Sequence, residues 1–176
     1  AINVVGSPRL LVANTPTQLN VSIRAAPFKP EFSYSRGFPN EVVQVVVKTR
    51  VNWDLQAGDS LVLELPNFRV EDVVPGVNRT LRAAGVSPSQ LSGNVSGVWE
   101  EAKEKLYLTL GAAVPRGTEI EILVGGSSGL IAPVSGVSSE EQGFSLGLVA
   151  AAVDSSISLG YALSRIDPIG FDVLSI

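Results

Sequence analysis

The chain has 176 residues, and its 13 Lys and Arg against 17 Asp and Glu give a net charge of −4. The basic residues form no run, so we expect no nucleic-acid partner, because such a partner needs a basic surface. The chain contains no Cys and no His, which removes disulfides, thiolate metal sites and the commonest catalytic base.

This length suits one domain, residues 1–176, which is large enough to fold without a metal or a disulfide. The longest apolar runs, such as residues 146–153, are far shorter than the ~20 residues of a membrane-spanning helix. We therefore expect no transmembrane segment, no metal site and no cofactor. The chain begins with Ala1 and not with Met, which suggests a processed subunit or a module of a longer protein.

Short strands separated by Gly, Pro, Ser and Asn dominate the pattern along the chain. Residues 42–51 include four Val within six positions, which is typical of a buried central strand. We predict strands at residues 2–5, 10–13, 18–25, 42–51, 60–65, 95–100, 105–111, 119–124, 144–151, 157–163 and 171–174.

Two hairpins are predicted, and helix signals are few. The turn-forming residues VDSS (153–156) separate two alternating strands near the end of the chain. The stretch WEEAKEKL (99–106) has good helix formers but is too short for an independent helix, so we interpret it as a hairpin turn. Residues 81–91 are compatible with one helical turn, interrupted by Gly85 and Pro88.

The chain twice places a Gly-containing turn before an apolar strand, as QAGDSLVLEL (56–65) and VPRGTEIEILV (114–124). The flanking residues differ, so we interpret the two stretches as equivalent positions in two sheets and not as a duplication. Together, these patterns predict an all-β protein, a Greek-key β-sandwich of immunoglobulin-like architecture with about 9–11 strands and little or no helix.

The candidate catalytic groups are carboxylates, because His and Cys are absent. A glycoside hydrolase needs two carboxylates across a cleft, and sequence spacing does not show such a pair. We favour the interpretation that they lie in solvated turns and on the wet faces of strands, and we expect no enzyme activity. The residues concerned are Asp54, Asp59, Glu64, Glu100, Glu101 and Glu104.

Three N-x-[ST] sequons begin at Asn20, Asn78 and Asn94, and they predict N-linked glycans on an exported protein. Asn78 and Asn94 fall in loop-like sequence, whereas Asn20 falls inside a predicted strand. With the lack of Cys and the many small polar residues, the sequons favour an extracellular or cell-surface location.

An aromatic segment, PFKPEFSYSRGFPN (27–40), holds Phe28, Phe32, Tyr34 and Phe38. One interpretation is a binding module for carbohydrate or another surface protein that uses this loop or Trp53. The interpretation we favour is a crossover that lies on the sandwich, with its aromatic rings filling the edge of the core.

Both ends of the chain have strand-like sequence, at about residues 1–13 and 170–176. A terminal strand leaves backbone groups unpaired on one side, and a neighbouring subunit can pair with them. These strands therefore suggest contacts between subunits.

Four stretches resemble immunoglobulin-like β-sandwich modules of extracellular surface and filament proteins: QAGDSLVLELPNF (56–68), Trp99, LYLTL (106–110) and VPRGTEIEILV (114–124). The Cys–Trp–Cys framework of antibody domains is absent. The resemblance implies the fold and a surface location. Our first hypothesis is a glycosylated structural subunit or module that joins copies of itself or adjacent modules by strand or edge contacts. The alternative is a carbohydrate- or protein-binding adhesion module.

Overall fold

The structure is a computed structural model that describes residues 31–34, 39–51, 54–71, 77–137, 144–151, 159–162 and 165–166. Within this part of the chain, regular structure consists of strands and three short 3₁₀-helices, at Ser89–Leu91, Glu101–Lys103 and Gly126–Ser128. The strands are β1 (Glu31–Tyr34), β2 (Val45–Arg50), β3 (Ser60–Glu64), β4 (Arg69–Val70), β5 (Arg79–Leu81), β6 (Ala83–Ser87), β7 (Val95–Glu100), β8 (Lys105–Leu110), β9 (Glu119–Val124), β10 (Leu130–Ile131), β11 (Ser145–Val149), β12 (Leu159–Ala162) and β13 (Arg165–Ile166). None of the helices in these ranges is long and apolar enough to cross a membrane.

The strands form two large sheets and one small one. The six-stranded sheet has the order β12-β11-β3-β8-β7-β5, and the five-stranded sheet has the order β13-β1-β2-β9-β6. All pairs are antiparallel except β1 with β13, and β4 pairs with β10 separately. The pairing is nested, because β3 pairs with β8 in one sheet and β2 pairs with β9 in the other. The predicted all-β fold is confirmed.

In the described part of the chain, one apolar core lies between the two large sheets. Alternate residues of each central strand point into it, as residue burial along β2 and β8 shows. One continuous cluster contains side chains from both sheets, so the sheets face each other as a sandwich. Its central members are Val45, Val47, Leu61, Leu63, Trp99, Leu106, Leu108, Leu110, Ile120, Ile122 and Leu146.

The two similar turn-and-strand stretches lie in different sheets, where both are inner strands, since one forms β3 of the six-stranded sheet and the other forms β9 of the five-stranded sheet. Backbone hydrogen bonds of 2.8 and 3.0 Å between Leu55 and Val114 join the two turns at one end of the sandwich. Gly58 and Gly117 have φ values of 93° and 79°, a conformation that side chains disfavour. In each of the two turns, Gly therefore occupies a position that needs a left-handed backbone conformation.

The strand pairs of both predicted hairpins are present, and the turn predicted at residues 153–156 lies outside the described residues. β7 and β8 pair from Val95 opposite Leu110 to Glu100 opposite Lys105, and the helix-forming residues between them make a single 3₁₀ turn. β11 and β12 pair over four residues.

Other strands were not predicted. β1 lies inside the aromatic segment, and β5 and β6 occupy residues 79–87, where a helical turn was considered. That turn follows β6, as the 3₁₀-helix at Ser89–Leu91. The strands predicted at residues 2–5, 10–13, 18–25 and 171–174 lie outside the described residues, as do the ends proposed for contacts between subunits.

The close packing of β6 against the following 3₁₀-helix requires Gly85. A Cβ atom at this position would lie 2.4 Å from both the Cβ and the carbonyl oxygen of Leu91, a fully buried residue. We expect Gly85→Ala to lower the free energy of unfolding by about 2 kcal/mol, because backbone must move to relieve the clash. Urea denaturation measures this loss. Gly126→Ala is the control, because no atom lies within 4 Å of its added Cβ; equal losses in both variants would contradict the prediction.

Candidate functional surfaces

Most of the carboxylates that the sequence singles out take part in structural contacts. Asp54 accepts a hydrogen bond of 2.9 Å from the backbone N–H of Arg116. Asp59 is buried and accepts bonds from the backbone N–H groups of Gln56 and Ala151. Glu101 accepts a hydrogen bond from the indole N–H of Trp99. Glu104 is an exposed turn residue with a φ of 53°.

The remaining two carboxylates, Glu64 and Glu100, belong to an ion-paired row at one end of the six-stranded sheet. Lys105 lies 2.6 Å from Glu64, and Lys103 lies 2.9 Å from Glu100. The hydrogen bond from Lys105, assisted by Ser145, holds the pKa of Glu64 below its usual value. Lys103, with Tyr107, does the same for the pKa of Glu100. A general acid of a glycoside hydrolase needs a raised pKa, so neither carboxylate suits that role.

The described residues also offer no candidate metal site, since they contain no group of three Asp or Glu placed to hold an ion.

The outward side of β3, β8, β7 and β5, which we call the six-stranded face, combines one aromatic ring with hydroxyl groups. Its central row runs from Val62 through Tyr107 and Val98 to Thr80, as the strand registers show. A second row includes Ser60 and Thr109, whose hydroxyls are 2.8 Å apart. The Tyr107 hydroxyl donates to Glu100 at 2.9 Å. Burial and the Glu100 carboxylate raise the pKa of Tyr107, which keeps the phenol protonated.

Two of the three sequon asparagines lie in the described residues, and both are exposed. Asn78 directly precedes β5 and Asn94 directly precedes β7. Because β5 and β7 are antiparallel, the two asparagines lie at opposite ends of this strand pair. The sequon hydroxyl residues, Thr80 and Ser96, are exposed at outward positions of the six-stranded face. Asn20 lies outside the described residues.

The candidate binding loop is only partly described. Phe32 and Tyr34 lie in β1, opposite Val47 and Val45 of β2. Phe28, Phe38 and Trp53 lie outside the described residues. The structure therefore places two of the four loop aromatics in a strand, and their role in binding stays a prediction.

The outward side of β2, β9 and β6, which we call the five-stranded face, carries charges that the sequence analysis did not connect. Lys48 and Arg50 lie on β2, opposite Glu121 and Glu119 of β9. The Lys48 ammonium is 3.3 Å from the Glu121 carboxylate. The signal was present in the sequence, since both strands carry their charges at alternate positions, but the pairing of β2 with β9 was needed to align them.

An apolar row borders these charges on the five-stranded face. Val46 of β2 lies opposite Leu123 of β9, and Leu123 lies opposite the exposed Ala84 of β6. Val86, also on β6, has 52% of its surface exposed.

Comparisons with known proteins give no family for this chain. No family model and no curated protein matches it. Among solved structures, the chain is similar to one described as "The unique CBM3- of Hungateiclostridium clariflavum", with 10% identity, a TM-score of 0.38 and coverage of 72% of this chain and 95% of that chain. A likeness of this size assigns no function to the chain.

Proposed function

We propose that the chain is a non-catalytic structural module of an extracellular or cell-surface assembly, N-glycosylated and joined to copies of itself or to adjacent modules. The placement of the two described sequons carries this proposal. Asn78 and Asn94 are both exposed, and sugars attached there project into solvent from the ends of one strand pair, without disturbing the core.

Glycans at these positions have a physical consequence for assembly. Among the described strands, β5 is the outermost of the six-stranded sheet, and such a strand presents backbone groups that another chain can pair with. β5 is three residues long, and sugars that begin at the two ends of the β5–β7 pair hinder the approach of a second chain. Contacts between copies therefore use another surface, such as the terminal strands or the five-stranded face.

The contacts of the candidate carboxylates also support a structural role. Five of the six accept hydrogen bonds from backbone, indole, hydroxyl or ammonium donors within their own sandwich. A pair that performs glycoside hydrolysis needs one carboxyl that remains protonated near neutral pH. The pKa values of Glu64 and Glu100 are instead lowered, which favours the ionised form of both carboxylates.

Intact mass of the chain secreted from cultured animal cells tests the proposal. We expect excess mass that peptide-N-glycosidase removes, and a loss of one glycan in each of Asn78→Gln and Asn94→Gln. Thr80→Ser is the matched control for Thr80→Ala, because the first substitution keeps the sequon at Asn78 and the second destroys it. An unmodified mass for the native chain would contradict the glycosylated module.

Electron microscopy of the same material tests assembly. Regular filaments or layers support the structural role, whereas a chain that stays monomeric at high concentration contradicts it.

A carbohydrate-binding module is the second candidate function, and Tyr107 favours it. This ring lies in the middle of the six-stranded face, among hydroxyl and carboxylate groups that can bond to sugar hydroxyls. On this hypothesis, Tyr107→Ala abolishes retention on an immobilised polysaccharide, because stacking on the ring is lost. Thr109 lies two residues further along β8 on the same face, and Thr109→Ala should retain more of the binding. Unchanged retention of the Tyr107 variant would exclude this face as the binding surface.

A further inference from the structure

The five-stranded face separates its charges by strand. The cations Lys48 and Arg50 lie side by side on β2, and the anions Glu121 and Glu119 lie at the matching positions of β9. The side chains of Lys48 and Glu121 are 51% and 32% exposed, so both are accessible to a second molecule. Within this strand pair, β2 therefore presents two cations and β9 presents two anions. On the other side of β2, Glu31 of β1 lies opposite Lys48.

A face with this arrangement is complementary to itself. Consider a twofold axis that runs between β2 and β9, parallel to both strands and just above the sheet. Rotation about this axis places β2 of one copy over β9 of the other and keeps each residue at the same height along the strand. Lys48 then lies over the Glu121 position of the second copy, and Arg50 lies over its Glu119 position, because these residues are already register partners.

The apolar row is matched by the same rotation. Val46 of one copy lies over the Leu123 position of the other, and the two rows meet along the contact. Lys48 then has the Glu121 carboxylates of both copies as neighbours, and Arg50, which donates to the Gly117 carbonyl in its own chain, faces the Glu119 position of the second copy. Charge networks of this kind contribute more than isolated surface pairs, which are worth ~0–1 kcal/mol.

The hydroxyl residues of the two described sequons lie on the opposite side of the sandwich. Thr80 and Ser96 occupy outward positions of the six-stranded face, so glycans at Asn78 and Asn94 leave the five-stranded face uncovered. We infer that the five-stranded face binds a second copy of this chain in a face-to-face pair. This inference rests on the proposed assembly function and names the surface that carries it.

The size of the face limits the strength of the contact. Three strands spaced ~4.8 Å apart, with about six residues at ~3.3 Å each, present about 300 Å² per copy. A standard stable interface buries about 800 Å² per partner. An isolated pair is therefore weak and forms at high protein concentration, whereas a repeated array would strengthen it through multiple contacts.

Sedimentation equilibrium of the full chain, over a range of protein concentration, measures the pair. We expect reversible dimerisation that weakens with added salt, because the charges are exposed.

Two double variants make the face uniform in charge: Lys48→Glu with Arg50→Glu, and Glu119→Lys with Glu121→Lys. Each alone should associate at least tenfold more weakly than the native chain, and an equimolar mixture should form a hetero-pair at least as strong as the native dimer.

A matched pair of variants on the six-stranded face controls for general attraction between acidic and basic molecules. Lys103→Glu with Lys105→Glu and Glu64→Lys with Glu100→Lys change the net charge by the same amounts, and their mixture should not form the hetero-pair. Ala84→Arg tests the face without replacing any of its four charged residues, and it should also weaken dimerisation, because a long charged side chain enters the apolar row. Circular dichroism confirms that each variant is folded.

A native chain that remains monomeric up to its solubility limit would overturn the inference, as would a mixture of face variants that fails to pair. If the native chain assembles and all face variants assemble equally well, the assembly uses another surface. That result would reject the five-stranded face and leave the proposed structural function in place.

Discussion

Replacing Trp99 with Ala is expected to lower the free energy of unfolding by about 4 kcal/mol. Trp99 lies in the middle of the sandwich with no exposed surface, and it is the largest of the fully buried side chains described. The substitution leaves a cavity between the sheets and also removes the indole N–H that donates to Glu101 in the hairpin turn. The whole free energy of unfolding of a small domain is about 5–15 kcal/mol, so this loss is a large part of it. Urea denaturation should therefore show a midpoint at a much lower urea concentration.

Val98→Ala is the control for the Trp99 substitution. Val98 is the preceding residue of β7, at a half-buried outward position, and its truncation should lower the free energy of unfolding by about 1 kcal/mol or less. Glu101→Ala separates the two causes, because it removes the acceptor of the indole hydrogen bond and leaves the Trp99 side chain between the sheets. If the Trp99 and Val98 variants unfold at the same urea concentration, the sheets do not pack as the structure describes.

Asp59→Ala is expected to lower the free energy of unfolding by about 3 kcal/mol. The Asp59 carboxylate is 1% exposed and accepts hydrogen bonds of 2.8 and 2.9 Å from the backbone N–H groups of Gln56 and Ala151. It therefore ties the turn before β3 to the residue that follows β11. Hydrogen bonds to a charged group are each worth ~1.5–3 kcal/mol, and their loss also leaves the backbone donors without this acceptor.

Asp54→Ala is the matched control for Asp59→Ala. Asp54 also accepts one backbone hydrogen bond, from Arg116, but it is exposed. Water can replace its carboxylate, so we expect a loss of about 0.5 kcal/mol. Thermal unfolding followed by circular dichroism ranks the two variants. A loss in Asp54→Ala as large as that in Asp59→Ala would show that burial does not set the cost.

The same contacts explain why the positions of acidic residues in the sequence do not identify catalytic carboxylates. Asp59 and Glu64 are five residues apart in sequence, yet one is a buried acceptor for backbone and the other is an ion-pair partner on the six-stranded face. Sequence spacing reports neither burial nor the identity of the hydrogen-bond donors. These two properties decide whether a carboxylate can act as an acid, as a base or as a structural acceptor.

For the sequons, the sequence predicted which residues can carry a glycan but not where these residues lie in the fold. The motif identifies Asn78 and Asn94 directly, because it depends on only three consecutive residues. Their placement at opposite ends of one strand pair depends on β5 pairing with β7, which no local pattern reports. The charge separation on the five-stranded face depends in the same way on the pairing of β2 with β9.

The sequence by itself determined the features that arise from local physics. Alternation of apolar residues predicted β3, β7, β8 and β9 to within one residue at either end, because each of these strands has one face in the core. Gly at positions 58 and 117 predicted tight turns, because few other residues adopt a left-handed conformation easily. The all-β class follows from these signals together.

Only the tertiary structure decided the features that depend on residues far apart in the chain. β1, β5 and β6 have weak strand patterns and are stabilised by pairing with β2, β7 and β9, so their own sequences did not reveal them. The choice of sheet for each strand, the register of its neighbours and the side on which the sequons and charges lie follow from the same long-range pairing. The physical reason is that backbone hydrogen bonds across a sheet and burial between two sheets join residues that are distant in sequence, and a local pattern does not specify its partner.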